Sequence, residues 1–222
     1  MVATTFDAVA DKNSDLVFKP LKGAVLIAPY STAIPTSFTA GAGASLEELT
    51  GFKSLGLISK DNPPSFAPTV ETSEVEAWGE LEPPRTDITS RQMSVSFTTL
   101  ETRREALELF SGVDLSATEA DAVTHEIAWN DATSPSTTYY RLIFLAVDGS
   151  GANAKYFFKI LPKANVTDIT EQSWAEDSAM TYGFSFAPKI DPTLGYSVRN
   201  VIGGPGVTSQ LVTSMGFTVA TP

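Results

Sequence analysis

Apolar and polar residues change places in short runs along this chain, and most runs have the period of two that marks a strand with one buried face. Gly23 opens an apolar stretch, Ala24 to Ala28, which Pro29 ends, predicting a buried strand. Phe52 to Ser59 and Glu74 to Trp78 are further strand candidates. In the second, Val75 and Ala77 oppose Glu74, Glu76 and Trp78. Met93, Val95 and Phe97 alternate with Ser94, Ser96 and Thr98, and His125, Ile127 and Trp129 form another alternating set. Tyr139 to Val147 is almost continuously apolar, as for a strand buried on both faces. The turn residues Asp148 to Gly151 then predict a hairpin with Lys155 to Leu161. Val166 to Trp174 reads as a strand, and Met180, Tyr182, Phe184 and Phe186 give the clearest period-two run.

One segment has helical spacing. Thr102 and Glu105 fit a capping box, Ala106, Leu107, Leu109 and Phe110 make an apolar stripe, and Gly112 suits a left-handed C-cap. Between these elements, Ser31 to Ser45 reads as loop. So does Lys60 to Pro68, with three prolines, and Gly79 to Arg91, whose Pro83-Pro84 pair belongs outside a sheet core. Strands around one helix predict a mainly β fold, a β-sandwich or barrel with an α-helix over about 102–111 packed on it. Residues 23–206 would form this domain, between a polar N-terminal arm, 1–22, and a turn-rich C-terminal arm, 207–222.

Composition narrows the function classes. The chain has 222 residues, 42% hydrophobic and 18% charged, which is a globular balance. It has no cysteine, so disulfides, thiolate metal sites and cysteine nucleophiles are excluded. Residues 1–22 lack an apolar signal-peptide core, and no apolar run approaches the ~18 residues of a membrane span. The net charge of −11 disfavours tight binding to phosphate backbones. That charge is zoned. Leu46 to Pro84 carries eight acidic residues against two lysines, and Val113 to Thr138 carries five acidic residues with no Lys or Arg. Tyr139 to Asn165 reverses the sign, with four basic residues against one acidic. Zones of opposite sign on one fold suit pairing with copies of itself, although ordinary solvated surface gives the same pattern.

No residue set announces catalysis. His125 is the only histidine and shares a predicted strand face with Ile127 and Trp129, so a hydrogen-bonded, half-buried side chain is expected. No Gly-x-Ser-x-Gly elbow occurs, and Gly41 to Ser45 lacks the Gly-Lys-Ser/Thr ending of a phosphate loop. One histidine without cysteine leaves no common zinc set, and Asp148 to Asn153 lacks the acidic residue that would close a calcium loop. The pairs Glu80/Glu82, Glu119/Asp121 and Glu176/Asp177 are what any acidic surface carries, and no cofactor is implied. Trp78, Trp129 and Trp174 suit either a sugar-stacking platform or packing in a core or subunit interface.

Four stretches, in order, carry a resemblance: Gly51 to Ser59, Thr72 to Gly79 ending in Trp-Gly, Met93 to Thr98, and Leu100 to Gly112. Together they resemble the major tail tube proteins of long-tailed phages with non-contractile tails. The opening Gly23 to Pro29, the later Tyr182 to Phe186, and Leu194 to Val198 with Gly203 to Gly206 are similar to that family's first and last strands and closing turn. The resemblance implies a tail tube β-sandwich in which six subunits close a ring. The rings stack head to tail around a tape-measure protein, between tail terminator and tail-tip proteins. DNA passes through without tight binding, there is no membrane anchor, and assembly takes place in the bacterial cytoplasm. It also implies that the segments Ser59 to Thr72 and Gly79 to Arg91 make ring-to-ring contacts. Lys60, Asp61, Glu71, Glu80, Glu82, Arg85, Asp87 and Arg91 are the candidate inter-ring residues, and Trp78, Leu107 and Phe110 are candidates for packing within the ring and against the helix. The competing readings are a carbohydrate-binding β-sandwich using the tryptophans, and another virion part such as a tail terminator.

Overall fold

The computed structural model describes residues 4–41, 43–134 and 136–220. Ala42 of the glycine-rich loop, residues 1–3 of the expected N-terminal arm and 221–222 of the expected C-terminal arm lie outside them. The elements run α1 (Phe6–Ala10), β1 (Lys22–Pro29), β2 (Thr39–Ala40), β3 (Ser45–Leu46), β4 (Lys53–Ser54), β5 (Ser65–Val75) and β6 (Arg85–Thr99). They continue α2 (Arg104–Ser111), β7 (Tyr140–Asp148), β8 (Lys155–Ile169), β9 (Tyr182–Pro188), β10 (Arg199–Gly203) and α3 (Ser209–Ser214). The fold is mainly β with α2 flanking the sheet, as the pattern predicts, and it carries two further short helices, α1 and α3, in the segments expected to be arms without regular structure.

Eight strands join in one antiparallel sheet in the order β4-β1-β7-β8-β9-β6-β5, with β10 also on β8. The long strand β8 organises it. One edge of β8 pairs with β7, from Lys155 opposite Asp148 to Ala164 opposite Tyr140. Its other edge changes partner along its length: Tyr156 to Ile160 pair with β10, and Ala164 to Ile169 pair with β9. Register irregularities fall at and just past this handover, against β7 between Leu161 and Ala164 and against β9 between Val166 and Asp168, and such bulges are the device by which a sheet turns a corner. The β9-β6-β5 half thereby folds over the β1-β7-β8 half. Phe144 of β7 meets Phe66 of β5 and Phe97 of β6 nearly edge-on, at centroid distances of 5.1 and 5.7 Å.

The space between the halves is the main core. Val25, Ile27, Leu142, Phe144 and Leu161 face Val95, Phe97, Phe184 and Phe186, and α2 closes one end with Ala106 and Leu109. Burying each of these large side chains stabilises the fold by about 1.5–3 kcal/mol. The opposite face of the β1-β7-β8 half buries Ala28, Ile143, Phe158 and Ile160 under Phe38 and Phe52, from the segment between β1 and β5. Strand β7 is therefore covered on both sides, which accounts for its unbroken apolar run.

Several boundaries differ from the pattern. Helix α2 begins at Arg104, its N-cap Arg103 makes no side-chain capping bond, and no capping box forms. The Thr102 hydroxyl instead lies 3.1 Å from that of Tyr182, tying the helix entry to β9. Gly112 does end the helix in the left-handed region, at φ 67°. Phe52 to Ser59 yields only β4 and a bridge between Ile58 and Thr99, and the strand expected to reach Trp174 stops at Ile169. His125 is exposed at φ 59° in a loop and is not on a strand. The loop is built on Asp121, whose Oδ1 accepts from the amides of Thr124 and Val123 at 2.7 and 2.8 Å. These bonds hold the Asp121 carboxyl below its ordinary pKa.

The largest departure is in the middle of the chain. Ser65 to Pro68, predicted as loop, and Arg85 to Arg91, predicted to lie outside the sheet, are the two ends of a long hairpin. Ala77 and Trp78, predicted as strand, are in its turn.

Candidate functional site

The β5-β6 hairpin grows out of the sheet core. At its root Phe66 pairs with Val95 and Ser65 with Ser96, and β6 continues inward between β5 and β9. Past Phe66, β6 is the only hydrogen-bonded neighbour of β5 among the described residues, and every residue from Ala67 to Val75 is exposed. Nine residues of strand project about 30 Å. Pro68 is tolerated because β5 is an edge strand, where a missing N–H breaks no ladder bond.

Register shows which residues share a face. Pro68 lies opposite Met93, Val70 opposite Arg91 and Thr72 opposite Ile88, all on the side that Phe66 and Val95 present to the core. The core's apolar face thus continues outward along the ribbon as Pro68, Met93, Val70 and Ile88. The other face carries Thr69 with Gln92, Glu71 with Ser90, and Ser73 with Asp87. A bulge leaves Thr89 unpaired, and the Thr89 hydroxyl donates to the Glu71 carbonyl at 3.1 Å, while Ser90 Oγ donates to the Glu71 carboxylate at 3.0 Å. The bulge raises the local twist and adjusts register, so the apolar face stays on one side.

At the tip, the Glu80 amide donates to the Ala77 carbonyl at 3.2 Å, and Gly79 takes φ 87°, a conformation glycine adopts without strain. This turn presents Trp78 and Leu81 wholly to solvent, at 106% and 103% relative exposure. Arg85 and Asp87 pair at 2.8 Å where β6 begins; both are exposed, so the pair adds little to stability.

Of the candidate inter-ring residues, Glu71, Glu80, Glu82, Arg85, Asp87 and Arg91 therefore lie together on one projecting ribbon. Lys60 and Asp61 lie in the loop at its root, where the Ser59 hydroxyl accepts from the Asp61 amide at 3.3 Å and the Asn62 carbonyl from the Thr98 amide at 3.1 Å. Leu107 and Phe110 pack against the main core, with the Phe110 ring edge-on to Tyr182 at 5.7 Å. Trp78 does not join them: it is at the exposed hairpin tip and makes no packing against the helix. Sequence reasoning missed the apolar stripe of the ribbon. The β-formers Val70, Thr86, Ile88 and Thr89 were the available signal.

A second polar feature anchors the last strand. Asp191 is fully buried and its Oδ1 accepts from the Thr193 and Leu194 amides at 2.8 and 3.0 Å. Its Oδ2 faces Arg141 Nη2 at 3.5 Å, and Arg141 Nε donates to the Tyr30 carbonyl at 2.8 Å. Burial works against the charged carboxylate, but the two amides, the Tyr30 hydroxyl and Arg141 together outweigh it and hold the Asp191 pKa low. The site joins the ends of β1 and β7 to the loop before β10. It has the features of a structural lock, holding two strand ends and a loop together around one buried carboxylate.

Among the described residues, no three His, Asp or Glu side chains gather as a metal site, and no helix is long and apolar enough to cross a membrane. Trp78, Trp129 and Trp174 lie on three different segments, the hairpin tip and two loops.

A comparison with curated proteins gives no match. Residues 10–188, which are 179 of the 222, match the family model described as phage tail tube protein. The match ends on the last residue of β9, so it takes in both halves of the core and the whole hairpin and leaves out β10 and the Asp191 loop. With four-fifths of its length inside that match, the chain belongs to the phage tail tube protein family and is a structural component of a virion tail tube.

Proposed function

We infer that this chain polymerises as six-subunit rings, stacked head to tail, into the tail tube of a long-tailed phage with a non-contractile tail. The tube serves as the conduit for genome delivery. It encloses a tape-measure protein and is bounded by tail terminator and tail-tip proteins. Subunits are made and assembled in the host cytoplasm. In this reading residues 23–206 are the tube domain, and 1–22 and 207–222 are arms that order on assembly. No described residue of α1 or α3 is buried within the subunit, which supports assigning both to the arms. Family membership favours this reading over a carbohydrate-binding module or a tail terminator.

One observation carries the proposal: the ribbon past Phe66 projects about 30 Å with its apolar stripe uncovered. An isolated two-stranded hairpin is marginal in water, and a wet apolar face on it is a liability unless a neighbour covers it. A contact from the ribbon of one subunit to another part of the next is heterologous and propagates without limit along a stack. The sheet also ends in open edges, the outer side of β5 and the part of β1 before Leu26 that β4 leaves unpaired. Ring closure would cover such edges, which otherwise invite aggregation.

The charge supports a conduit. Six subunits of −11 bring −66 to each ring, and an acidic wall lets DNA slide without sticking. The lysines that would oppose this keep their charge but are held over aromatic rings of the subunit. Lys155 lies over Phe18, Lys159 over Phe66 and Lys163 over Tyr139, at 5.2, 5.0 and 4.4 Å. A tube map with a lumen lined mainly by Lys155, Lys159, Lys163 and Arg199 contradicts this part.

Replacing Glu76–Pro84 by a two-residue Asn-Gly turn tests the whole. The shortened protein should keep its circular dichroism and thermal midpoint yet form no tubes in negative-stain images. Normal tubes with the shortened hairpin overturn the reading.

A further inference from the structure

The hairpin tip and a cavity at the hairpin root have complementary chemistry. The cavity, of about 820 Å³, lies between the chain entering β1, the free edge of that strand, and the loop before β5. Its apolar wall includes Leu21, Leu57, Ile58, Pro63, Pro64 and Phe66. Leu21 and Leu57 are among the exposed large hydrophobics of the subunit, so the wall is wet when the subunit is alone. Three charged residues line it, Lys22, Lys60 and Lys159, all of them basic. The nearby Glu101 is already engaged by Arg103 at 2.6 Å and by the Leu57 amide at 2.7 Å, bonds that fix this loop and hold the Glu101 carboxyl below its ordinary pKa.

The tip has the opposite character. Trp78 and Leu81 stand wholly exposed on a tight turn among Glu76, Glu80 and Glu82, with no basic residue between Val75 and Pro84. An apolar knob ringed by carboxylates thus matches an apolar socket ringed by lysines. The tip cannot fill the socket of its own chain, because Phe66 lines the socket and also opens the ribbon, which carries Trp78 about 30 Å away.

We propose that Trp78 and Leu81 of one subunit insert into the Leu21–Leu57–Phe66 cavity of a second copy in the adjoining ring, with Glu80 and Glu82 against Lys22 and Lys60. The proposal rests on the ring-stacking reading above and names the surface that receives the hairpin. Each subunit then offers one knob and one socket, a head-to-tail contact that repeats at every ring. It gives Lys60 a part in stacking although Lys60 is remote from the tip within its own chain. A cavity of this size elsewhere encloses most of a drug-sized ligand, and an exposed tryptophan entering one has the makings of an interface hot spot.

The absence of cysteine makes the test clean. Tubes assembled from a chain carrying both Glu80→Cys and Lys60→Cys are oxidised and run on a denaturing gel. The proposal predicts a ladder at multiples of the 23.7 kDa chain, and dimers alone when chains bearing one substitution each are mixed. It also predicts that Trp78→Ala raises the critical concentration for assembly by about tenfold or more, the effect of losing a hot spot, with the monomer's thermal midpoint unchanged. If the doubly substituted tubes give no ladder, or if Glu80→Cys alone forms dimers because tips meet tips, the socket assignment is overturned. Those results leave ring stacking by the hairpin intact provided the shortened hairpin still abolishes tubes. If the shortened hairpin polymerises normally, the stacking reading falls and the knob-and-socket contact falls with it.

Discussion

Strand β6 passes through two environments, and the contrast separates what holds the subunit together from what it offers to neighbours. From Val95 to Thr99 it pairs with β9, with β5 on its other side at Val95 and Ser96 and a bridge to Ile58 at Thr99, and alternate residues are buried. There the Phe97 ring meets Phe144, Phe184 and Phe186 at 5.7, 6.0 and 5.8 Å, and the buried Thr99 hydroxyl donates to the Leu55 carbonyl at 2.7 Å. From Arg85 to Gln92 the same strand has only β5 beside it, and nearly every residue is exposed. Both halves belong to antiparallel ladders, the outer one paired on one side only and interrupted by the bulge at Thr89. The difference is burial: the inner half contributes apolar area to the fold, and the outer half withholds its apolar stripe until something else covers it.

This comparison is broken most sharply by substitutions on either side of it. Phe97→Ala should cost about 3–5 kcal/mol of subunit stability, read as a fall in the urea midpoint, because it opens a cavity among three rings. The Asp191 lock should come next. Asp191→Asn should lower the midpoint at neutral pH by removing one member of a buried pair. The pH dependence has a defined sign: a carboxyl held low in the fold contributes stability above the ordinary aspartate pKa near 4. That contribution is lost as pH falls through the lowered value. The native subunit should therefore weaken in that acidic window, and the asparagine variant should weaken less there. A native subunit equally stable on both sides of the window contradicts the lock. Smallest of all is the ribbon. Ile88→Thr, at a position 71% exposed, should shift the midpoint of the free subunit by less than about 0.5 kcal/mol while impairing tube formation. A large loss of monomer stability from Ile88→Thr would mean that the ribbon packs within its own subunit.

The same division explains what the sequence revealed. Strands with one buried face announced themselves: Tyr182, Phe184 and Phe186 alternate because β9 turns them inward, and β7 reads as a continuous run because both its faces are covered. The ribbon left only a fragment of such a trace, the alternation of Glu74 to Trp78, of which Glu74 and Val75 are in β5. Its outer strands are exposed on both faces, so Arg85 to Arg91 shows no alternation, and Pro63, Pro64 and Pro68 suggest loop although an edge strand tolerates the last of them. Alternation also misled. His125, Ile127 and Trp129 have strand spacing, but the turn that Asp121 organises gives them no partner strand. At Thr102 the local motif was right for a cap, but a partner 80 residues away, Tyr182, took the hydroxyl. The Asp191 lock was illegible for the same reason, since its charge partner Arg141 is distant in the chain. Candidate contact residues on the ribbon were found through the family resemblance and the clustering of charge, and the root cavity, a product of tertiary packing, was not found at all.

The central claim is that the ribbon from Ala67 to Gln92 gains its lasting order from neighbouring subunits and not from its own. Amide hydrogen exchange on the free subunit and on assembled tubes measures this directly. Amides of β7 and of Phe158 to Ala164 in β8 should be protected in both states, whereas those of Thr69 to Val75 and Arg85 to Arg91 should exchange rapidly in the free subunit and slowly in tubes. Ribbon protection equal to that of β7 in the free subunit, or no gain in ribbon protection on assembly, would contradict the account.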